Sequence, residues 1–294
     1  MTLRTADGVI RKALAGFYFV RTGEGEEYMC RGRGILRREG LTPLVGDRVS
    51  ISVQDEEEGV IDGLYPRANA FIRPPVANVD VFVCVIAAAD PNPNPEILDR
   101  FLVTAEAADV PSVICVNKMD LNAAGPEKLR AVYGGHYPMV MTSAARGEGL
   151  DELKGLIAGK AAAFAGPSGV GKSSLIGTLT GRDAETGEIS KRTGRGKHTT
   201  RHVEIYDTDF GARVFDTPGY TSFTVMTADD AHGLAECFPE IWAAAKGCRF
   251  DDCTHREEPG CTVRVAVESG KVARSRYNSY VRMFAELNER DKRT

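Results

Sequence analysis

Apolar and polar positions change rhythm twice along the chain. From residue 7 to about 68 the apolar residues come in short runs, "GFYFVR", "EEYMCRGR", "DRVSISV" and "GVIDGLY", cut by glycines and charged turns. Short β-rich runs punctuated in this way predict a small antiparallel barrel or sandwich. "PRANAFIRPPVANVD" then reads as a proline-containing connector. From about Val79 the runs lengthen. "VDVFVCVIAAAD" is continuously apolar, as a buried parallel strand would be. A helical stretch opened by proline and glutamate follows, Pro95 to Ala108. "PSVICVNKMD", "YPMVMTSA" and "AAAFAGPSGVGKSS" each give a short apolar strand ending in polar residues, with helical stretches between them. Such alternation predicts a doubly wound α/β sheet. "HVEIYDTDFGARVFDTPG" predicts two strands around a turn near Asp209–Gly211. From about Ser222 the pattern turns helical and carries cysteine and histidine, ending in a charged helix, Val272 to Arg293. These changes divide the chain at 1–68, 69–222 and 223–294.

A length of 294 residues suits two or three domains. The longest apolar run, Val81 to Ala89, is too short to span a bilayer. The opening "MTLRTADGVI" lacks an apolar signal core, so a cytoplasmic protein with no membrane partner is expected. A formal net charge of −4 argues against a uniformly basic nucleic-acid binder but leaves room for local basic patches. Of seven cysteines, three crowd into Cys248 to Cys261. In a reducing cytosol such a cluster suits a metal better than disulfides.

Four loops carry the candidate chemistry. Gly166-Pro167-Ser168-Gly169-Val170-Gly171-Lys172-Ser173, continued by Ser174, fits G-x-x-x-x-G-K-[ST] between an apolar strand and a helix. A plain glycine-rich turn can show the same letters, but the strand–loop–helix context argues against it. The glycines let successive N–H groups face one point, forming an anion nest at a helix N-terminus. Lys172 can reach the β- and γ-phosphates, and the Ser173 hydroxyl can ligate Mg²⁺. Asn117, Lys118, Met119 and Asp120 form N-K-x-D at the end of another strand. A carboxylate accepts from both N1–H and the N2 amine of guanine, whereas adenine shows it a bare N1 acceptor. Asp120 therefore suits guanine, and GTP and GDP are the expected ligands. Asn117 can donate to O6 or tie the loops together, and the Lys118 stem can cover the base. In "TSA", ending in Ser143 and Ala144, the Ala144 N–H can meet guanine O6. Asp216 of "DTPG" can hold Mg²⁺ through water, and the Gly219 N–H can meet the γ-phosphate, so loss of that phosphate would release the loop.

The order is unusual: NKMD, TSA, GPSGVGKSS, DTPG, then Cys248-x4-Cys253-x-His255-x5-Cys261. It resembles the circularly permuted ribosome small-subunit-dependent GTPase A family (RsgA/YjeQ type). The connector and "GRGKHTT", Gly194 to Thr200, are similar to that family too. The resemblance implies an α/β protein: a circularly permuted P-loop GTPase core with an N-terminal OB-fold β-barrel and a small α-helical zinc-binding C-terminal domain. It also implies a monomeric factor in late maturation of the small (30S) ribosomal subunit that contacts its 16S rRNA. A doubly wound sheet tolerates re-cutting where its old termini lie close at the surface. The re-cut chain runs from DTPG straight into the C-terminal domain.

Many regulatory GTPases place a glutamine after D-x-x-G to orient water; here the residue is Tyr220. His198 is then the candidate to position the water, and Thr200, in preference to Thr199, the candidate Mg²⁺ ligand of the GTP state. Cys248, Cys253, His255 and Cys261 supply a closed tetrahedral set for a structural Zn²⁺, with iron or plain thiols as alternatives. "RGRGILRR", "SKRTGRGKHTTR" and the last helix, with Arg274, Arg276 and Arg282, are candidate RNA contacts. Trp242 is expected in the core. These features lead to a GTP-hydrolysing assembly factor. The rival is a GTP-regulated RNA-binding module in which hydrolysis is incidental. NKMD and DTPG speak against a metabolic P-loop kinase.

Overall fold

The computed structural model describes residues 4–122, 126–182, 203–217, 224–225 and 232–291. Its first strands are β1 (Arg4–Leu14), β2 (Phe17–Thr22) and β3 (Glu27–Gly32), followed by a short helix α1 (Gly34–Arg38), β4 (Arg48–Val53) and β5 (Glu58–Leu64). They pair in the order β1-β2-β3-β5-β4, and β4 returns to β1, which closes the barrel. The closed five-stranded barrel is the OB-fold arrangement expected. Alternation fills it: Tyr28 and Cys30 of β3 are buried, whereas Glu27 and Arg31 on either side of them face water. A register shift between Ile10 and Lys12 bends β1. Before the bend β1 pairs with β4 through Arg4–Val9; after it, Lys12 pairs with a strand of the next domain.

The expected connector has structure of its own. β6 (Ala70–Arg73) and β7 (Val76–Ala77) form a hairpin, and β14 (Thr224–Val225), from far along the chain, pairs with β6. The hairpin also fastens the barrel, because the Ala77 N–H donates to the Val45 carbonyl at 2.9 Å.

The core sheet follows as β8 (Val81–Ala87), α2 (Pro95–Glu106), β9 (Ser112–Asn117), α3 (Pro126–Tyr133), β10 (Met139–Met141), α4 (Leu150–Ile157), β11 (Ala161–Ala165), α5 (Lys172–Thr180), β12 (Glu204–Asp207) and β13 (Arg213–Asp216). The strand order is β10-β9-β8-β11-β13-β12, parallel except for β12. β8 is buried along its whole length, as its unbroken apolar run requires. The start of α2 is set by Asn94, whose side-chain oxygen accepts from the N–H groups of Glu96 and Ile97 at 3.0 and 3.3 Å, with Pro95 at the first position.

The C-terminal part is helical: a 3-10 stretch His232–Cys237, then α6 (Pro239–Ala245), α7 (Thr262–Glu268) and α8 (Arg274–Asp291). α8 packs against α2. Two expectations fail here. Arg276 is not available to RNA: it is 1 % exposed and donates to Asp99 at 2.8 Å and to Glu240 at 2.6 Å. Trp242 is not core but 43 % exposed on α6, where Ile241 beside it takes the buried position. Among the described residues no helix is long and apolar enough to cross a membrane.

Candidate functional site

The chain lays down β8, β9 and β10 in one direction, then returns to place β11 on the other side of β8. Ligands of open α/β sheets bind outside the carboxyl ends of strands where the order reverses in this way. The loops after β8, β9, β10, β11 and β13 all leave from that edge.

The phosphate loop, Gly166 to Ser174, leaves β11 and enters α5. Gly166 has φ +154° and Gly171 φ +90°, and a Cβ on them would lie 2.2 Å from the Val85 carbonyl oxygen and 2.3 Å from the Asn117 amide nitrogen. No side chain fits at either place. Val170 is buried and pins the loop, while Ser168, Gly169, Ser173 and Ser174 are exposed around it and Pro167 is half-buried. The Lys172 ammonium folds back over the loop, donating to the Gly166 and Pro167 carbonyls at 2.6 and 2.8 Å. Burial lowers its pKa to about 8. A polyphosphate supplies the negative charge that carbonyls lack.

Asn117 ends β9 almost fully buried and holds three loops together. Its amide donates to the Val170 carbonyl at 2.9 Å, and its oxygen accepts from the Ala144 N–H at 3.1 Å and the Thr142 hydroxyl at 3.2 Å. The tie, one of the two roles open to Asn117, is thus present in the structure. The Ala144 N–H, expected to face guanine O6, is here engaged by Asn117. Lys118 sits at φ +61° and its ammonium donates to the Asp90 carbonyl, drawing in the loop after β8. The Met119 N–H donates to the Thr142 carbonyl at 3.1 Å. Asp120 accepts from the buried Ser143 hydroxyl at 2.6 Å. That hydrogen bond holds the Asp120 carboxyl below its ordinary pKa, so it is an anion ready for two donors.

Asp216 ends β13 half-buried. The pairing of Phe215 with Ala163 puts it beside the strand that feeds the phosphate loop, and the Thr217 hydroxyl reaches the Phe164 carbonyl at 3.5 Å. Of two expected Mg²⁺ ligands, Asp216 thus ends β13, and Ser173 lies in the first turn of α5, which follows the neighbouring strand β11 through the phosphate loop. His198, Thr200 and Gly219 lie outside the described residues, as do Thr199 and Tyr220. Thr142 and the Asp90 loop escaped the sequence reading. The threonine of "TSA" carried a signal; nothing local marked Asp90.

A second site lies in the C-terminal part. Cys248 follows α6, Cys253 and His255 sit in the next loop, and Cys261 caps α7. Their ligand atoms all lie within 4.8 Å of one another. His255 Nδ1 is 3.5 Å from the Cys248 sulfur and 3.7 Å from that of Cys261, and these sulfurs are 4.0 Å apart. Tetrahedral Zn–S bonds of about 2.3 Å and a Zn–N bond of about 2.0 Å require edges of roughly 3.8 and 3.5 Å. The four residues fit the ion. α8 braces them, because the hydroxyls of Tyr277 and Tyr280 donate to the carbonyls of His255 and Thr254 at 2.8 and 2.9 Å.

A phosphate loop interlocked with a guanine-reading loop, on a sheet whose motifs run in rotated order, defines a circularly permuted P-loop GTPase. The family model for the RsgA GTPase matches residues 64–226, and that for the RsgA N-terminal domain matches residues 7–61. The chain belongs to the RsgA GTPase family. The protein of Alkaliphilus metalliredigens called small ribosomal subunit biogenesis GTPase RsgA is 43 % identical over 287 residues, covering 96 % of this chain and 98 % of that protein. Its namesake in Geobacillus thermodenitrificans is 43 % identical over 296 residues, covering 98 % and 99 %. The crystal structure of YjeQ from Thermotoga maritima superposes with a TM-score of 0.81 at 36 % identity, covering 97 % of this chain and 99 % of that one. YloQ, described as a circularly permuted GTPase, gives 0.79 at 35 %, covering 98 % and 96 %.

Proposed function

We infer that this protein hydrolyses GTP to GDP and phosphate as a late assembly factor of the small ribosomal subunit. The observation that carries the inference is the Asn117 tie between the phosphate loop and the base-reading loop, in a chain whose relatives, matched over nearly their whole length, are named for this role. In this reading Asp120 selects guanine, Lys172 and the loop N–H groups hold the phosphates, and Ser173, Thr200 and Asp216 hold the metal. Mg²⁺, when bound, neutralises charge on the β- and γ-phosphates. His198 positions the attacking water. Residues 1–68 bind 16S rRNA, residues 69–222 bind nucleotide, and residues 223–294 fold around Zn²⁺ held by Cys248, Cys253, His255 and Cys261. The protein works as a cytoplasmic monomer.

The test is GTP turnover with and without purified small subunits. The free protein should be slow, since Tyr220 replaces a water-orienting glutamine, and subunits should raise the rate strongly. His198→Ala should lose most of that stimulation while binding GTP normally. Absence of stimulation in the wild type would overturn the ribosomal role. Asp120→Asn should move preference from GTP toward XTP, because an amide donates to the O2 of xanthine where a carboxylate cannot.

A further inference from the structure

The loop that carries Cys253 and His255 turns sharply. His255 is buried and sits at φ +61°, in the left-handed region that a β-carbon disfavours. Such a conformation persists only where its surroundings fix it. Glu258 fixes it from within the loop. Its Oε1 accepts from the Thr254 N–H at 2.8 Å and from the Thr254 hydroxyl, and its Oε2 accepts from the N–H groups of Arg256 and Glu257 at 2.9 and 3.1 Å. The His255 N–H, which lies between these donors, turns to the Cys253 sulfur. Every backbone donor from 254 to 257 thus has a partner. The carbonyls of Thr254 and His255 are held from the other side by Tyr280 and Tyr277 of α8. The Arg256 side chain closes the loop, with Nε donating to the Thr254 hydroxyl at 3.2 Å and the guanidinium 4.3 Å from the Phe284 ring centre.

We propose that Glu258 is the positioning residue of the metal centre: its carboxylate shapes residues 254–257 so that Cys253 and His255 converge on one point before Zn²⁺ arrives. A carboxylate suits this task and an amide does not. Both carboxylate oxygens accept, whereas a glutamine would turn an NH₂ group toward two of the donors. Glu258 is not a fifth ligand. Among the described residues, the ligand atoms that gather within 4.8 Å of one another are those of Cys248, Cys253, His255 and Cys261. Both Glu258 oxygens face N–H and O–H groups instead. A loop shaped in advance loses less conformational freedom on binding, and that difference appears as affinity. Groups that orient metal ligands typically change affinity by about 10–100-fold when removed. The inference rests on the zinc reading above.

The test is titration of the metal-free full-length protein with Co²⁺, read by absorption, followed by displacement with Zn²⁺. The wild type should show thiolate-to-cobalt charge transfer and the strong d–d bands of a tetrahedral site. Glu258→Gln should bind Zn²⁺ about 10–100-fold more weakly. Its bound Co²⁺ should keep the charge-transfer bands but lose d–d intensity, as water competes for the place of His255. A carboxylate that only stabilised the fold would leave the spectrum of the bound ion unaltered. Thr254→Val, which removes a single donor, should weaken binding by less. Glu257→Gln, which removes the same charge from the exposed neighbour, should bind as the wild type does. GTP affinity, measured on the same samples, should not change in any of them. Wild-type affinity in Glu258→Gln, unaltered d–d bands in that variant, or an equal loss in Glu257→Gln would each overturn the positioning role while leaving the zinc site. A wild type that binds neither ion would overturn the zinc reading and the positioning role together.

Discussion

Where the barrel meets the core, backbone pairs with backbone from β1 to β12, and most charges around the junction keep contact with water: Lys12 and Glu204 are 27 % and 26 % exposed and Arg21 and Asp207 47 % and 45 %, with Arg11 the most covered at 11 %. Where the C-terminal part meets the core, a guanidinium is entombed. Arg276 and Asp99 are 1 % and 0 % exposed, Glu240 is 5 %, and Tyr133 closes the set by donating to Asp99 at 2.7 Å. Burial pushes the Asp99 carboxyl above its ordinary pKa, against the pull of Arg276. Exposed pairs contribute about 0–1 kcal/mol each, whereas removing one partner of a buried pair costs about 3–5 kcal/mol. The first seam is thus held by sheet continuity and apolar contact, with charge as trim. The second is held by a polar lock that accepts one orientation.

The largest effect should come from dismantling what stands behind the lock. Metal ligation contributes on the order of 10–16 kcal/mol to folding of small zinc domains. Cys253→Ser should lower bound zinc and make the C-terminal part protease-sensitive, while GTP still binds in the core. Stoichiometric zinc in that variant, by elemental analysis, would show that Cys253 is not a ligand. Next in size is the lock itself. Arg276→Met should destabilise the C-terminal part by about 3–5 kcal/mol, because Asp99 and Glu240 lose their cation. Urea unfolding followed by Trp242, the sole tryptophan, reads this directly. Adding Asp99→Leu and Glu240→Leu should recover most of the loss; if it does not, the network does more than balance its own charges.

The nucleotide loops lie between the seams and supply a third measurement. The Lys172 pKa is lowered to about 8, and bound phosphates favour its ammonium form. GTP affinity should therefore be flat below pH 8 and fall by up to about tenfold per pH unit above it, with a proton taken up on binding. Calorimetry in buffers of different ionisation enthalpy detects that proton, and flat affinity to pH 9.5 would contradict the assignment. The smallest effect is expected at the barrel seam. Asp207→Asn removes the anion shared by Arg11 and Arg21 yet should cost no more than about 1 kcal/mol. A larger loss would mean that charge, not sheet continuity, holds the barrel.

The sequence made one seam partly readable and hid the other. The four nucleotide motifs and the Cys/His spacing were legible because each requires particular residue types at fixed intervals. The core strands were legible because burial on both faces leaves no polar break. β1 was missed: Arg4, Asp7, Arg11 and Lys12 fall at irregular intervals in "RTADGVIRKAL", which dilutes the apolar signal. β6 and β7 hid inside a proline-containing stretch, a short hairpin whose further partner, β14, lies some 150 residues away (224 against 73). Arg276 read as a surface cation because nothing in a helix marks the arginine whose partners come from two other helices. Trp242 read as core because size alone suggested it.

One consequence of β1 extending to β12 concerns synthesis and solubility. β12 is the antiparallel border of the core sheet, and a bare border offers its unpaired backbone groups to any passing strand. β1 covers part of that border. The N-terminal part of a chain generally folds first as it leaves the ribosome. The barrel should therefore already stand when β12 emerges, nearly 200 residues later (204 against 12). It then acts as a resident chaperone for one of the core sheet's two border strands.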